Sequence, residues 1–297
     1  MFDLRYHVAS LAAVFVALTV GIVVGVGIAD RGLLRKGERS FLEERISRLE
    51  NRLDAATKRE ALLNGESRAG DTLMNEAYPL LAGDRLKGKR VAVVFVGPVD
   101  TSIAGGVERA IGDAGAKVLR VRALQVPIDV TALNRALDGQ RQLASYAGRA
   151  HVGELGDALG KELVDGGQTP LWNAVSSKLV EEQRGSGDAA VDGVVVARSA
   201  KPQQGATARF LSGFYGGVAG AGMPAVGVET SETKPSAVEA FRGAGLSTVD
   251  WIDTGYGKLA LVWLLAGGTP GAYGVKQTAT DGPLPPADSV PAPPPRG

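Results

Sequence analysis

The chain has 297 residues, 44% of them hydrophobic and 22% charged, a composition of folding proteins that excludes wholesale disorder and collagen-like repeats. Its 33 basic and 32 acidic residues leave a net charge of +1, so no broad attraction to nucleic acid is built into the molecule. The absence of cysteine excludes disulfides, thiolate metal sites and cysteine nucleophiles.

From Val8 to Ala29 no residue is charged, and at 1.5 Å per residue a helix of this length covers roughly 33 Å, the thickness of a bilayer core. Residues 1–30 therefore read as a transmembrane anchor, longer in its apolar part than an export signal. Gly21 and Gly25 form a GxxxG spacing that lets two such helices approach closely in lipid. Arg31, Arg35, Lys36 and Arg39 follow the span, and on the positive-inside rule they place the larger domain in the cytoplasm.

Residues 31–65 are expected to form a coiled-coil stalk. Leu42, Ile46, Leu49, Leu53, Ala56 and Leu63 follow the alternating steps of a heptad seam, with Ile46 and Leu53 at a and the others at d. Glu60 interrupts the seam at an a position. Arg45 at g and Glu50 at the next e attract across a parallel homodimer, the simplest self-association that the pattern allows.

Residues 66–277 alternate short β-branched runs with helical stretches. Strands are expected at 91–96, 117–121, 191–197, 224–228 and 246–251. Helices are expected near 102–112, 131–146, 171–182, 206–219, 236–241 and 258–266. The run Val91 to Val96 is continuously apolar, as for a strand covered on both faces. The alternation implies an α/β fold with a Rossmann-like or flavodoxin-like, doubly wound and mostly parallel sheet, carrying a helical insertion at about 151–187. Seven prolines between Pro283 and Pro295 mark residues 278–297 as a disordered tail.

Catalytic motifs are scarce. Gly83, Gly88 and Lys89 have the spacing of a phosphate-binding loop, but Arg90 stands where a hydroxyl should meet magnesium, and the segment precedes a strand. No glycine fingerprint for a dinucleotide survives in a strand-to-helix turn. The strand ends offer Asp100, Glu229, Asp250 and Asp253 as candidates for a polar pocket, with Asp253 as an acid, base or cation ligand or, more plainly, as part of a helix cap before Thr254. No catalytic residue, cofactor or enzyme activity is assigned from these.

Three blocks stand together in this order: the opening from Phe2 through Leu4-Arg5-Tyr6-His7 to Gly27, the stretch Tyr78 to Asp100, and the close from Trp251 through Thr254 to Gly274. In this combination the chain resembles the MctB family of mycobacterial copper transport proteins, related to the corynebacterial envelope protein SteB. The resemblance covers nearly all of the chain except the proline tail. It implies a single-pass protein of the actinobacterial cell envelope with its large domain outside the cytoplasm, against the flanking charges. Copper export or homeostasis is the implied function, and copper enters only by resemblance. The SteB kinship implies the alternative of a septal scaffold that binds a membrane partner. Copper prefers Cys, Met and His, and the chain offers only Met1, His7, Met74, His151 and Met223, scattered along its length.

Overall fold

The computed structural model describes residues 4–29 and 33–293; Asp3, Asp30 and Arg31, which flank the apolar run, and Pro294 and Pro295 of the tail lie outside the described residues. Two compact units divide the chain, one ending at Ala69 and the other beginning at Gly70.

The first unit is helical. Helix α1 (Leu4–Ala29) carries 19 consecutive residues, Val8–Val26, apolar enough to cross a membrane. Its described side chains are exposed on every side, as in a helix whose natural surroundings are apolar. The hydroxyl of Thr19 donates to the Phe15 carbonyl at 2.7 Å, so this polar group is satisfied within the helix. Helix α2 (Leu33–Ala82) follows and runs without a break through Asn64 and Gly65, where the stalk was expected to end. Asn64-Gly65 reads as a break locally. The helix continues because its last turns belong to the second unit and are held by packing there, with Met74 and Ala82 buried.

The second unit is α/β. Strand β1 (Arg90–Val96) leads to α3 (Thr101–Asp113), β2 (Lys117–Leu124), α4 (Val130–Asp138), α5 (Val152–Asp165), α6 (Pro170–Leu179) and β3 (Val180–Gly185). Strand β4 (Gly193–Arg198) begins the second half, followed by α7 (Gly205–Gly220), β5 (Ala225–Val228), α8 (Val238–Gly243), β6 (Ser247–Val249), α9 (Gly255–Leu265) and β7 (Ala272–Tyr273). The seven strands lie in the order β3-β2-β1-β4-β5-β6-β7, all neighbours parallel except β3, which runs antiparallel to β2. The period-two geometry of a strand splits its side chains between two cores. Val91, Val93 and Phe95 join the core under α3 and α9, while Ala92, Val94 and Val96 join the core under α4 to α8.

Four expectations are corrected. The helix expected over 171–182 ends at Leu179, and Val180 to Gly185 form β3, with Gln125 N–H donating to the Leu179 carbonyl where the chain turns into the sheet. Consequently 151–187 is no appended insertion: it supplies an edge strand and two of the helices, α5 and α6, that cover one face. The helix expected to reach Tyr146 stops at Asp138, and only a short 3-10 turn forms at Ala144–Tyr146. The described part of the proline-rich tail is packed, not free. Leu284 and Val290 contribute to a core, the Ser289 hydroxyl accepts from Thr269 N–H, and Arg85 donates to the Pro291 carbonyl at 2.7 Å. Prolines suit this course because an extended segment on a surface needs few amide donors of its own.

Helices α5 and α7 touch backbone to backbone. A Cβ on Gly156 would stand 2.2 Å from the Phe210 carbonyl oxygen, and one on Gly217 would stand 2.1 Å from that of Asp157. Gly156 and Gly160 lie against the α7 backbone at Phe210, Phe214 and Val218, and Gly213 and Gly217 lie against the α5 backbone at Gly153 and Asp157, so two small-residue pairs four apart remove the side chains from the crossing.

Candidate functional site

In a doubly wound sheet the natural ligand crevice opens where the strand order reverses, here between the carboxyl ends of β1 and β4. Gly97 follows β1 with φ 98°, a conformation that favours glycine, and a Cβ there would lie 2.8 Å from the Ala200 Cβ. The amides of Ser199 and Ala200 both donate to the Val96 carbonyl. These contacts draw the two loops together at the switch point. Asp100 is the N-cap of α3, its Oδ1 accepting from the amides of Ser102 and Ile103 at 2.9 and 3.0 Å. A carboxylate thus occupies the helix end where a nucleotide phosphate would otherwise bind.

Further along the sheet, Glu229 and Asp250, both 1% exposed, sit at the ends of β5 and β6. The Lys276 ammonium donates to Glu229 Oε1 at 2.7 Å and to the carbonyls of Thr230 and Thr233. Glu229 also accepts from the Ser236 hydroxyl and, at 2.6 Å, from Ala237 N–H. Asp250 accepts from the amides of Val275 and Lys276 at 2.9 and 3.1 Å. Burial raises the Asp250 pKa above the ordinary carboxylate value, and Glu229's charge adds to this, whereas the two amides and the Lys276 charge oppose it. Gly274 completes the arrangement: at φ 151° a Cβ would lie 1.8 Å from Asp250 Oδ1. This is a satisfied polar clasp that fastens the segment after β7 to the sheet, with the lone pairs that a ligand would need already committed.

Asp253 stands apart and exposed, its two oxygens accepting from the amide and hydroxyl of Ser231 at 2.9 and 2.7 Å. The cap of α9 is Thr254, whose hydroxyl accepts from Gly257 N–H at 3.0 Å. The structure therefore brings Glu229 and Asp250 into one cluster, and gives Asp100 and Asp253 separate local duties. Lys276, Ser236 and Gly274 escaped the sequence reading because their partners lie 7 to 47 residues away, with no local spacing to betray them.

The expected seam is laid out along one continuous helix. Leu42, Ile46, Leu49, Leu53 and Leu63 are each between 53% and 67% exposed, and Ala56 is exposed as well. Cβ atoms at Gly21 and Gly25 of α1 would meet nothing within 4 Å.

The sequence model of the family described as "Copper transport outer membrane protein, MctB" matches residues 1–284. The chain belongs to the MctB family. Its relatives include the copper transporter MctB of Mycobacterium tuberculosis and that of Mycobacterium bovis, each 27% identical over 92% of this chain and 96% of the relative. The matched span takes in the apolar helix, the long helix and nearly all of the α/β unit.

The donors that this MctB-family chain could offer copper are dispersed. His151 lies at the start of α5 and pairs through Nδ1 with Glu154 at 3.0 Å. Met74 is buried against the Gly255 backbone, and Met223 is surface-exposed beside Pro224. Among the described residues no three His, Asp or Glu side chains are grouped as metal ligands. A membrane barrel, for its part, is a closed antiparallel sheet with an apolar outer band. The present sheet is open, mostly parallel and covered by helices on both faces, so α1 is the element whose surface suits lipid.

Proposed function

We propose that the protein serves copper transport or homeostasis as a non-catalytic, membrane-anchored component that works as an assembly of copies. The observation that carries this reading is the apolar stripe Leu42, Ile46, Leu49, Leu53 and Leu63, more than half exposed on a single chain. Burying it against the same stripe of a second, parallel copy removes five large aliphatic side chains from water and sets Arg45 opposite Glu50 of the other copy. Anchoring both copies in one bilayer raises their effective concentration and favours a short coiled coil that would be marginal alone. Gly21 and Gly25 then supply a close approach between the two α1 helices in lipid.

Copper is cargo in this reading and not a resident cofactor. One apolar helix encloses no pore, and among the described residues the metal-ligating side chains form no group, so the path for the ion in this reading is shared among copies or with a partner. The test is cysteine crosslinking in membranes: with Leu49 replaced by Cys, oxidation should give a disulfide dimer, and adding Leu53→Asn should abolish it. Monomer under oxidation in the first variant rejects the assembly.

The body is proposed to lie outside the cytoplasm, supported by the envelope role in the family description against the basic residues after α1. Because the chain has no native cysteine, a Ser177→Cys variant on the exposed side of α6 reports the side directly. Labelling of intact cells by an impermeant maleimide is expected. Labelling only after lysis overturns the orientation.

A second reading, a septal or envelope scaffold binding a membrane partner, is favoured by the dispersed donors. Crosslinking that recovers a membrane protein with the body, together with unaltered copper tolerance in a deletion strain, decides for the scaffold.

A further inference from the structure

Strand β2 reads KVLRVRAL, and the two-residue period puts Arg120 and Arg122 on one face, the face that Leu124 shares with the core under α4 to α8. Arginine on the inner face of a strand is costly unless an anion meets it. Arg120 is 2% exposed; its two terminal nitrogens donate to the carbonyls of Leu163 and Ala189, while its Nε is buried and donates to nothing. Arg122 is half-buried, and its Nη1 donates to the carbonyls of Val121 and Arg184 at 2.8 and 3.0 Å. Neither guanidinium has a carboxylate within salt-bridge distance among the described residues.

The neighbouring carboxylates are engaged elsewhere. Glu162 accepts from the amides of Leu171 and Trp172 at the start of α6, and Glu182 pairs with Arg184 at 3.1 Å. Asp188 is on the cavity wall but accepts from the Ser186 hydroxyl. Burial, first, and then the charges of Arg122 and Arg90 work against the charged form of Arg120, with Asp188 opposing.

Over these arginines opens a cavity of about 380 Å³, within the range of small-molecule sites. The cavity is also lined by Thr169 just before α6, by Asn173 and Ser176 of α6, and by Gln183 of β3. Hydroxyls, amides and a guanidinium fork around a concave space are the donors an oxyanion needs.

We propose that this cavity, on the β3 edge of the sheet and away from the strand-end clasp, binds a small molecule bearing a carboxylate or phosphate group. The oxyanion is held by Arg122, with Arg120 contributing charge from beneath and the α6 side chains fixing orientation. The volume exceeds that of the anionic group alone, so the ligand carries a further portion beside it. This site is independent of the copper reading and of the dimer.

The test is calorimetric titration of the full chain in detergent with pyrophosphate and, separately, malonate, at ionic strength held constant with chloride. A saturable response to pyrophosphate alone assigns a phosphoryl ligand, and to malonate alone a carboxylate; a response to neither overturns the site. Arg122→Gln should weaken the binding by tenfold or more, and Arg122→Lys, which keeps the charge but loses the fork, by less. Asn173→Asp, on the exposed side of α6, places a negative charge on the cavity wall without touching the core and should abolish binding even if Arg122→Gln folds poorly. Binding unchanged in Asn173→Asp and Arg122→Gln rejects the proposal.

Discussion

The molecule uses the same sequence device in two places with different outcomes. In α1, Gly21 and Gly25 leave a shallow stripe that meets nothing, whereas in the body Gly156, Gly160, Gly213 and Gly217 let α5 and α7 close to backbone contact. The long apolar residues divide the same way: Leu155, Leu159, Phe210 and Phe214 are buried around the α5–α7 crossing, and Leu49 and Leu53 of α2 are among the most exposed. A small-residue pair gives a helix the capacity for close approach, and an apolar stripe the incentive. Only the presence of the opposing surface in the same chain turns capacity into stability. The body contains its own partners, whereas the described apolar side chains of the N-terminal unit are left exposed on the single chain.

That contrast predicts where substitutions act. The largest loss is expected from Lys276→Met, which leaves Glu229 buried without its cation; unfolding of the body, followed by tryptophan fluorescence in urea, should show a cost of about 3 kcal/mol or more. Adding Glu229→Gln should recover part of it, since the uncompensated charge is then removed. Next comes Gly217→Val, which forces branched atoms against the Asp157 backbone and should cost about 2–3 kcal/mol. Gly21→Val should leave the same urea transition where it was and act only on crosslinked dimers in membranes. Equal shifts in both variants would erase the distinction between the two regions. Smaller still in the body, and confined to association, is Leu42→Asn with Leu53→Asn in the Leu49→Cys background, which should remove the disulfide dimer while moving the urea midpoint little.

Period and composition made the parallel core legible: β1 is continuously apolar because both its faces are covered, and α3 and α7 lie within a residue or two of their expected bounds. The edges of the sheet were hidden for physical reasons. Strand β3, reading VEEQRG, is solvent-exposed apart from its first residue, so no apolar alternation distinguishes it from the end of a helix. Strand β7 is two residues long and exists through pairing with β6. Of the candidate pocket, Glu229 and Asp250 were readable as polar residues ending apolar strands. Their use was not, because Lys276 is brought to them by the chain's return after β7, and what resembled a ligand pocket is closed by the protein's own side chain. Arginine at alternate positions of β2 was equally visible, but its meaning depends on α6 arriving to cover it.

The finest discrimination is in pH. The Asp250 pKa is raised by burial above its ordinary 3.8, so between 3.8 and the raised value the folded protein holds a proton that the unfolded chain has released. The stability contributed by this group is therefore fully present below 3.8 and is lost as pH rises through the folded value, with a slope no steeper than about 1.4 kcal/mol per unit. Subtracting the urea stability of Asp250→Asn from that of the parent chain isolates it, because the amide gives up one of the two side-chain oxygens that accept from backbone N–H groups at every pH but does not titrate. The difference should decline upward from 3.8 and then flatten. A difference that grows with pH would mean that the Val275 and Lys276 amides and the Lys276 charge outweigh burial, making the clasp a site that prefers the carboxylate and bringing the body's strand ends closer to the anion-holding chemistry of a ligand pocket.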